Sequence, residues 1–147
     1  MNRRIDDACG MEWKRFEAAD YLVVTLNPKA LSDVCLGLCM LREQLLPRIE
    51  LGSDSKTGAL SFGRQSGSVT TALVHRDRDK TTVLLGENDL TMLLHFFLRT
   101  VRDGVAEVDH IDVDAVDRNG AATSVVLKFP LHTAPVSADE VRRRLDI

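Results

Sequence analysis

A strand-like run that feeds directly into a long apolar helix pattern occurs twice in this chain. That recurrence constrains the fold more than any single motif. Residues 21–26 are rich in β-branched and aromatic side chains, which suit a pleated, half-buried surface. They lead through Asn27-Pro28 into an apolar helical pattern over 30–46. Residues 82–85 lead in the same way through Gly86-Glu87-Asn88 into a second pattern over 90–101. Each helix is followed by two strand-like runs, 60–65 and 69–76 in the first half, 108–116 and 124–129 in the second. The chain therefore reads as βαββ written twice. Val24 aligns with Val83, Leu26 with Leu85, Leu31 with Leu90, Val34 with Leu93 and Leu38 with Phe97. Identities are few, so a true repeat and two independent strand–helix units both remain open.

Local signals support the elements. Asn27 suits an N-cap and Pro28 the first helical position, where its missing N–H costs nothing. Leu31, Val34, Cys35, Leu38, Leu41 and Leu45 then recur at helical spacing, and Pro47 ends the pattern. Asn88 is the expected cap of the second helix, whose stripe is Leu90, Leu93, Leu94, Phe97 and Val101, with Gly104 as its C-terminal stop. Ile111, Val113 and Ala115 alternate with polar residues, as do Val125, Leu127 and Phe129, and Arg118-Asn119-Gly120 between them signals a turn. Residues 1–10 are polar and expected to fray. Residues 11–17 are ambiguous between helix and strand, with Trp13 as an anchor to the core. Residues 51–58 read as a loop and 66–68 as a hairpin connection. Ser137 and Glu140 have capping-box spacing, which predicts a short C-terminal helix in the 131–147 tail.

The expected product is a single α+β domain over residues 1–147. Its two βαββ units form one mainly antiparallel sheet of about six strands, with both helices on one face and a short C-terminal helix. The chain has 147 residues, 44% of them hydrophobic, enough for one core without metals or disulfides. The net charge of −3 and the absence of a basic stripe argue against nucleic acid as a partner. No apolar run approaches the ~20 residues of a membrane span, and no signal-peptide pattern follows Arg3-Arg4. An odd count of three cysteines speaks against a disulfide framework and for a reducing, cytoplasmic setting. No cofactor is expected.

Several residue groups invite a chemical reading beside a structural one. His110, Asp112 and Asp114 share one face of a strand, a spacing that can hold a divalent metal or polarise water. The same alternation also describes a solvated outer face. Flanked by Asp109 and Asp117, the group makes the most acidic stretch of the chain, suited to docking a basic partner. Cys35 and Cys39 lie one helical turn apart, as core residues or as half of a soft-metal site with no second pair in view. The run from Gly52 to Gly58 has glycines and a lysine, but Lys56 is misplaced for a phosphate loop. His95 stands alone on the second helix. Leu36, Met40 and Leu46 on the first helix, and Met92, Phe96 and Leu98 on the second, lie off the apolar stripes. Either the chain's own tail covers them or they mark a protein interface.

The order of motifs in the second half resembles that of small immunity proteins of bacterial polymorphic-toxin systems. The resemblance is carried by the run from Val83 to Leu94, with Gly86 at the turn and a leucine-rich helix start. Val108-Asp109-His110-Ile111-Asp112-Val113-Asp114 and Ser124-Val125-Val126-Leu127 complete it, over residues 82–129. It implies stoichiometric, non-catalytic binding of a cognate toxin. The leading expectation is thus a protein-binding or regulatory protein. Its partner would be another protein, such as a basic toxin domain, or a second copy of itself. Asp109, His110, Asp112, Asp114, Asp117, Met92 and Phe96 would stand at the contact. A metal-assisted hydrolase built on His110, Asp112 and Asp114 is the enzymatic alternative, and a homodimeric structural module pairing through its helices is the third.

Overall fold

The computed structural model describes residues 3–53, 59–66, 71–106 and 108–129, together with 139, 142 and 143. In chain order the elements are β1 (Arg3–Phe16), β2 (Ala19–Leu26), α1 (Leu31–Arg42), β3 (Arg48–Ser53) and β4 (Ala59–Arg64). They are followed by β5 (Ala72–Asp77), β6 (Lys80–Leu85), α2 (Glu87–Asp103), β7 (His110–Val116) and β8 (Ala122–Lys128). The strands close into a barrel in the order β1-β2-β8-β7-β5-β6-β4-β3. This corrects the expectation of an open, mainly antiparallel sheet of about six strands with both helices on one face. Two strands had been hidden. β1 begins inside the segment expected to fray, and β3 begins directly after Pro47 and runs into residues 51–53, part of the expected loop.

The duplication is real in the pairing. Each half is a ββαββ unit, and every strand pairing in one half has its counterpart in the other. β1–β2 and β5–β6 are antiparallel hairpins. β1–β3 and β5–β7 are parallel pairs, and β3–β4 and β7–β8 are again antiparallel. The halves join through two parallel seams, β2–β8 and β4–β6. A parallel pair needs a crossover rather than a tight turn, and α1 and α2 supply the crossovers within the halves. The correspondence reaches single residues. Leu22 sits opposite Trp13, and its counterpart Thr81 sits opposite Arg76.

The helices lie within one core cluster with the inward faces of the strands. Leu22, Val24, Ile49, Leu51, Leu60, Phe62, Val83, Val113, Val125 and Leu127 point inward and are buried. α1 packs against α2 and against β1, β3 and β4. This enclosure explains why it is apolar around most of its circumference: Leu31, Val34, Cys35, Leu36, Gly37, Leu38 and Leu41 are all buried. α2 keeps one polar face, with Thr91, His95 and Arg102 exposed. A polar cluster ties the helix ends together. Arg64 Nη1 donates to the Arg42 carbonyl at the end of α1, and Arg42 Nε donates to Thr91 Oγ1 at 3.1 Å.

The caps are shifted from expectation in one case. Asn27 does cap a 3-10 turn (Pro28–Ala30) that precedes α1, its side chain accepting from the Lys29 N–H. α2 is capped at Gly86 rather than Asn88, because Asp89 reaches back to the Gly86 backbone, the carboxylate half of a capping box. Gly104 ends α2 in the left-handed conformation at φ 75°. In the C-terminal tail, 139, 142 and 143 are helical, while Ser137 and Glu140 fall outside the described residues, as do residues 54–58 and 67–70.

The seam between β1 and β3 carries a bulge. Its register shifts between Ile5 and Cys9, and Asp7 inside the bulge takes φ 52°. Gly52 faces it so closely that a Cβ there would stand 2.9 Å from the Asp7 nitrogen and 3.0 Å from the Asp6 Cα. Both obstacles are backbone and have no rotamer to turn away. Gly52→Ala is therefore expected to destabilise the fold by about 1–3 kcal/mol, the usual cost of overpacking. Urea unfolding checks this, and an unchanged midpoint would show that the seam is slack.

Candidate functional site

All the strand-to-strand hairpins turn at one end of the barrel: β1–β2, β3–β4, β5–β6 and β7–β8. The helices connect strands at the other end. The two ends therefore differ in character, one stoppered by helices and one open between hairpins. At the open end lies a cavity of about 370 Å³, lined by Trp13, Ala18, Ala19, Asp20, Val74, His75, Arg76, Asp117, Arg118, Asn119, Ala121, Ala122 and Thr123. Barrel mouths are a recurrent place for binding sites, and this volume lies in the usual range of about 300–1,000 Å³.

Alternation along the strands explains the lining. Trp13 stands on the inward side of β1, opposite buried Leu22. Arg76 stands on the inward side of β5, opposite buried Thr81. Thr123 continues the inward series of Val125 and Leu127 on β8. The β1–β2 hairpin is also longer than its counterpart. Relative to the β5–β6 hairpin it adds the pairs Arg15↔Asp20 and Phe16↔Ala19. This overhang brings Ala18, Ala19 and Asp20 over one side of the mouth and leaves Phe16 68% exposed at its tip.

The mouth is electrically uneven. The Arg76 guanidinium lies over the Trp13 ring, 4.8 Å from its centroid, so the two symmetry-related positions stack on each other. A cation so placed is held by the ring quadrupole, worth about 0.5–1 kcal/mol at an exposed site. The Arg118 guanidinium meets the His75 ring through Nη2 and Nε2. The two carboxylates are already engaged. Asp117 Oδ1 accepts from the backbone N–H of Asn119 at 2.8 Å and of Ala121 at 2.9 Å, closing the β7–β8 turn. Asp20 faces Arg15 at 3.9 Å, and its carbonyl accepts from Thr123 Oγ1 at 2.5 Å.

The residues nominated from sequence lie mostly elsewhere. His110, Asp112 and Asp114 do share one exposed face of β7, with Ile111, Val113 and Ala115 buried behind them. Their neighbours across the β8 pairing are Lys128, Val126 and Ser124. Asp109 Oδ1 sits 2.6 Å from His110 Nδ1. Among the described residues no group of three His, Cys, Asp or Glu side chains is arranged to hold a metal ion. Asp117 belongs to the mouth. Met92 and Phe96 are half-buried and packed against the core, and Leu98, 40% exposed, is the apolar residue of α2 that reaches solvent. His95 stacks edge-on with Phe96. Cys35 and Cys39 share a hydrogen bond within α1, and with its burial this pushes the Cys35 thiol up so that it stays protonated. Lys56 is outside the described residues.

Asp89 links the helix end to β7. Burial pushes its carboxyl up, the nearby Asp114 charge adds to the rise, and the hydrogen bond from Gly86 opposes it. Its Oδ2 is buried and has no hydrogen-bond partner among the described residues.

The mouth was not visible in the sequence because its residues come from three hairpins far apart in the chain. One signal was present: the chain's single Trp, on a segment whose periodicity was undecided. Comparison with protein-family models and with curated protein sequences finds no match, so geometry alone carries the functional reading.

Asp89 generates a pH prediction. Its folded-state pKa is raised, so the folded state binds the proton more tightly than the unfolded one. Stability from this group is present below the unfolded value of about 3.8–3.9 and is lost as pH rises through the raised folded value. Asp89→Asn keeps an acceptor for Gly86 and removes the charge. The variant should melt higher than wild type at neutral pH, with the gap closing toward pH 3. A lower Tm at neutral pH would show that the carboxylate is stabilising as it stands.

Proposed function

We propose that this chain is a non-catalytic binding protein whose recognition element is the barrel mouth. The single observation that carries this is the cavity of about 370 Å³ at the open end, where Trp13, Arg76, His75 and Arg118 converge above a filled core. Apolar walls with a few placed polar groups are the usual make-up of a small-ligand site. The rigid barrel holds these groups without a ligand, which limits the ordering cost of binding. Cys9, Cys35 and Cys39 are thiols rather than disulfides, which supports a cytoplasmic setting for this role. Among the described residues no helix is long and apolar enough to cross a membrane. A fragment screen read by amide shifts tests the proposal. Hits should cluster on Trp13, Val74, Arg76 and Ala122. Hits confined to other surfaces, or none, would overturn it.

A second reading keeps the protein partner implied by the immunity-protein resemblance. It is favoured by the outer face of β7, where exposed Asp112 and Asp114 flank half-buried Val126 of the neighbouring strand. An apolar centre with a charged rim is the anatomy of an interface, and the acidic rim would steer a basic toxin domain. On this reading a stoichiometric basic partner co-purifies from the native host. The double variant Asp112→Lys, Asp114→Lys should weaken that complex by roughly a hundredfold, since like charges across an interface cost several kcal/mol. A complex that survives the reversal would refute it.

A further inference from the structure

The cavity lining carries two arginines and two aspartates, and the way each is engaged names a ligand class. Among the described residues neither Arg76 nor Arg118 has a carboxylate partner. Arg76 rests on Trp13 and Arg118 on His75. The two acids that share the cavity are engaged, Asp117 by turn N–H groups and Asp20 beside Arg15. The charged donors that the cavity offers a ligand are therefore the two guanidinium groups. The rest of its wall is small and apolar: Val74 and the methyl groups of Ala18, Ala19, Ala121 and Ala122.

We propose that the mouth binds a small planar carboxylate, with the carboxylate at Arg76 and Arg118 and the apolar body against Val74 and the alanine walls. This rests on the mouth being a binding site. The Trp13 ring fixes the plane of the Arg76 guanidinium. Its in-plane N–H donors are thereby preset for a carboxylate, which guanidinium recognises in a two-pronged geometry. Arg118 turns from the His75 ring nitrogen to the ligand oxygen, a stronger, charge-assisted hydrogen bond. The alanines leave room for an unsaturated body that a larger side chain would fill. Phosphate alone would gain the cations but leave the apolar wall uncovered.

Cinnamate, its neutral amide, the cationic cinnamylamine and inorganic phosphate separate the possibilities. Each is titrated against the full chain by calorimetry, with the Trp13 indole N–H resonance as the location marker. Since Trp13 is the only tryptophan, the resonance is unique. Cinnamate is expected to shift that resonance and to bind at least about tenfold more tightly than the amide. Arg76→Gln and Arg118→Gln should each remove roughly that factor, with amide spectra confirming that both variants are folded. Amide or amine binding at the mouth as tightly as cinnamate would overturn the anion assignment and leave the binding site standing. Phosphate binding as tightly as cinnamate would overturn the planar body. No shift of Trp13 with any compound would remove both the site and the ligand class.

Discussion

Neither half of this chain can satisfy its own strand edges. The first unit makes the sheet β2-β1-β3-β4 and the second the sheet β6-β5-β7-β8, each ending in two strands whose outer hydrogen-bonding groups lack partners within the unit. Only the other half supplies them, through β2–β8 and β4–β6. An unpaired edge invites pairing with foreign chains, and closure removes it. Closure also creates the core against which α1 packs, so the enclosure of α1 follows from the same pairing. The pseudo-twofold relation between the halves lets one solution serve both seams.

The mouth is interesting because it breaks that symmetry. Trp13 and Arg76 occupy equivalent positions, yet one is an aromatic ring and the other a cation, and they stack across the opening. The longer β1–β2 hairpin overhangs one side, and the β7–β8 turn with Arg118 closes it. A duplicated frame has thus been specialised at one end by unequal hairpin lengths and unequal residues. Deeper in the barrel the counterpart positions Val24 and Val83 are identical and both buried.

How much of this could be read from residues alone depends on how local each feature is. The alternation of Ile111, Val113 and Ala115, the helical stripes and the Gly104 stop are local, and they place β7, α1 and α2 within a few residues. β1 escaped because its bulge at Asp6 and Asp7 interrupts the two-residue period between Ile5 and Cys9. β3 escaped because it follows Pro47 and runs into a loop rich in glycine and serine. Barrel closure escaped because pairing Leu22 with Val125 leaves no trace in either segment alone. The off-stripe leucines of α1 did carry the information. They were read, with Met40, as a surface covered either by the chain's own tail or by a partner, whereas the burial of Leu36 marks a helix enclosed by strands and a second helix. The mouth shares the difficulty of closure, being assembled from Trp13, His75, Arg76 and Arg118 on separate hairpins.

The β2–β8 seam joins segments near opposite ends of the chain, which has a kinetic side. Hairpins such as β1–β2 and β5–β6 bring together neighbours and close on a microsecond timescale. The terminal seam must wait until nearly the whole chain has been ordered, and non-local pairings of this kind slow folding. Until it zips, the apolar run Leu22-Val23-Val24 lies along an open edge. A chain of this design is therefore most exposed to misassociation late in folding, when almost everything else is already in place.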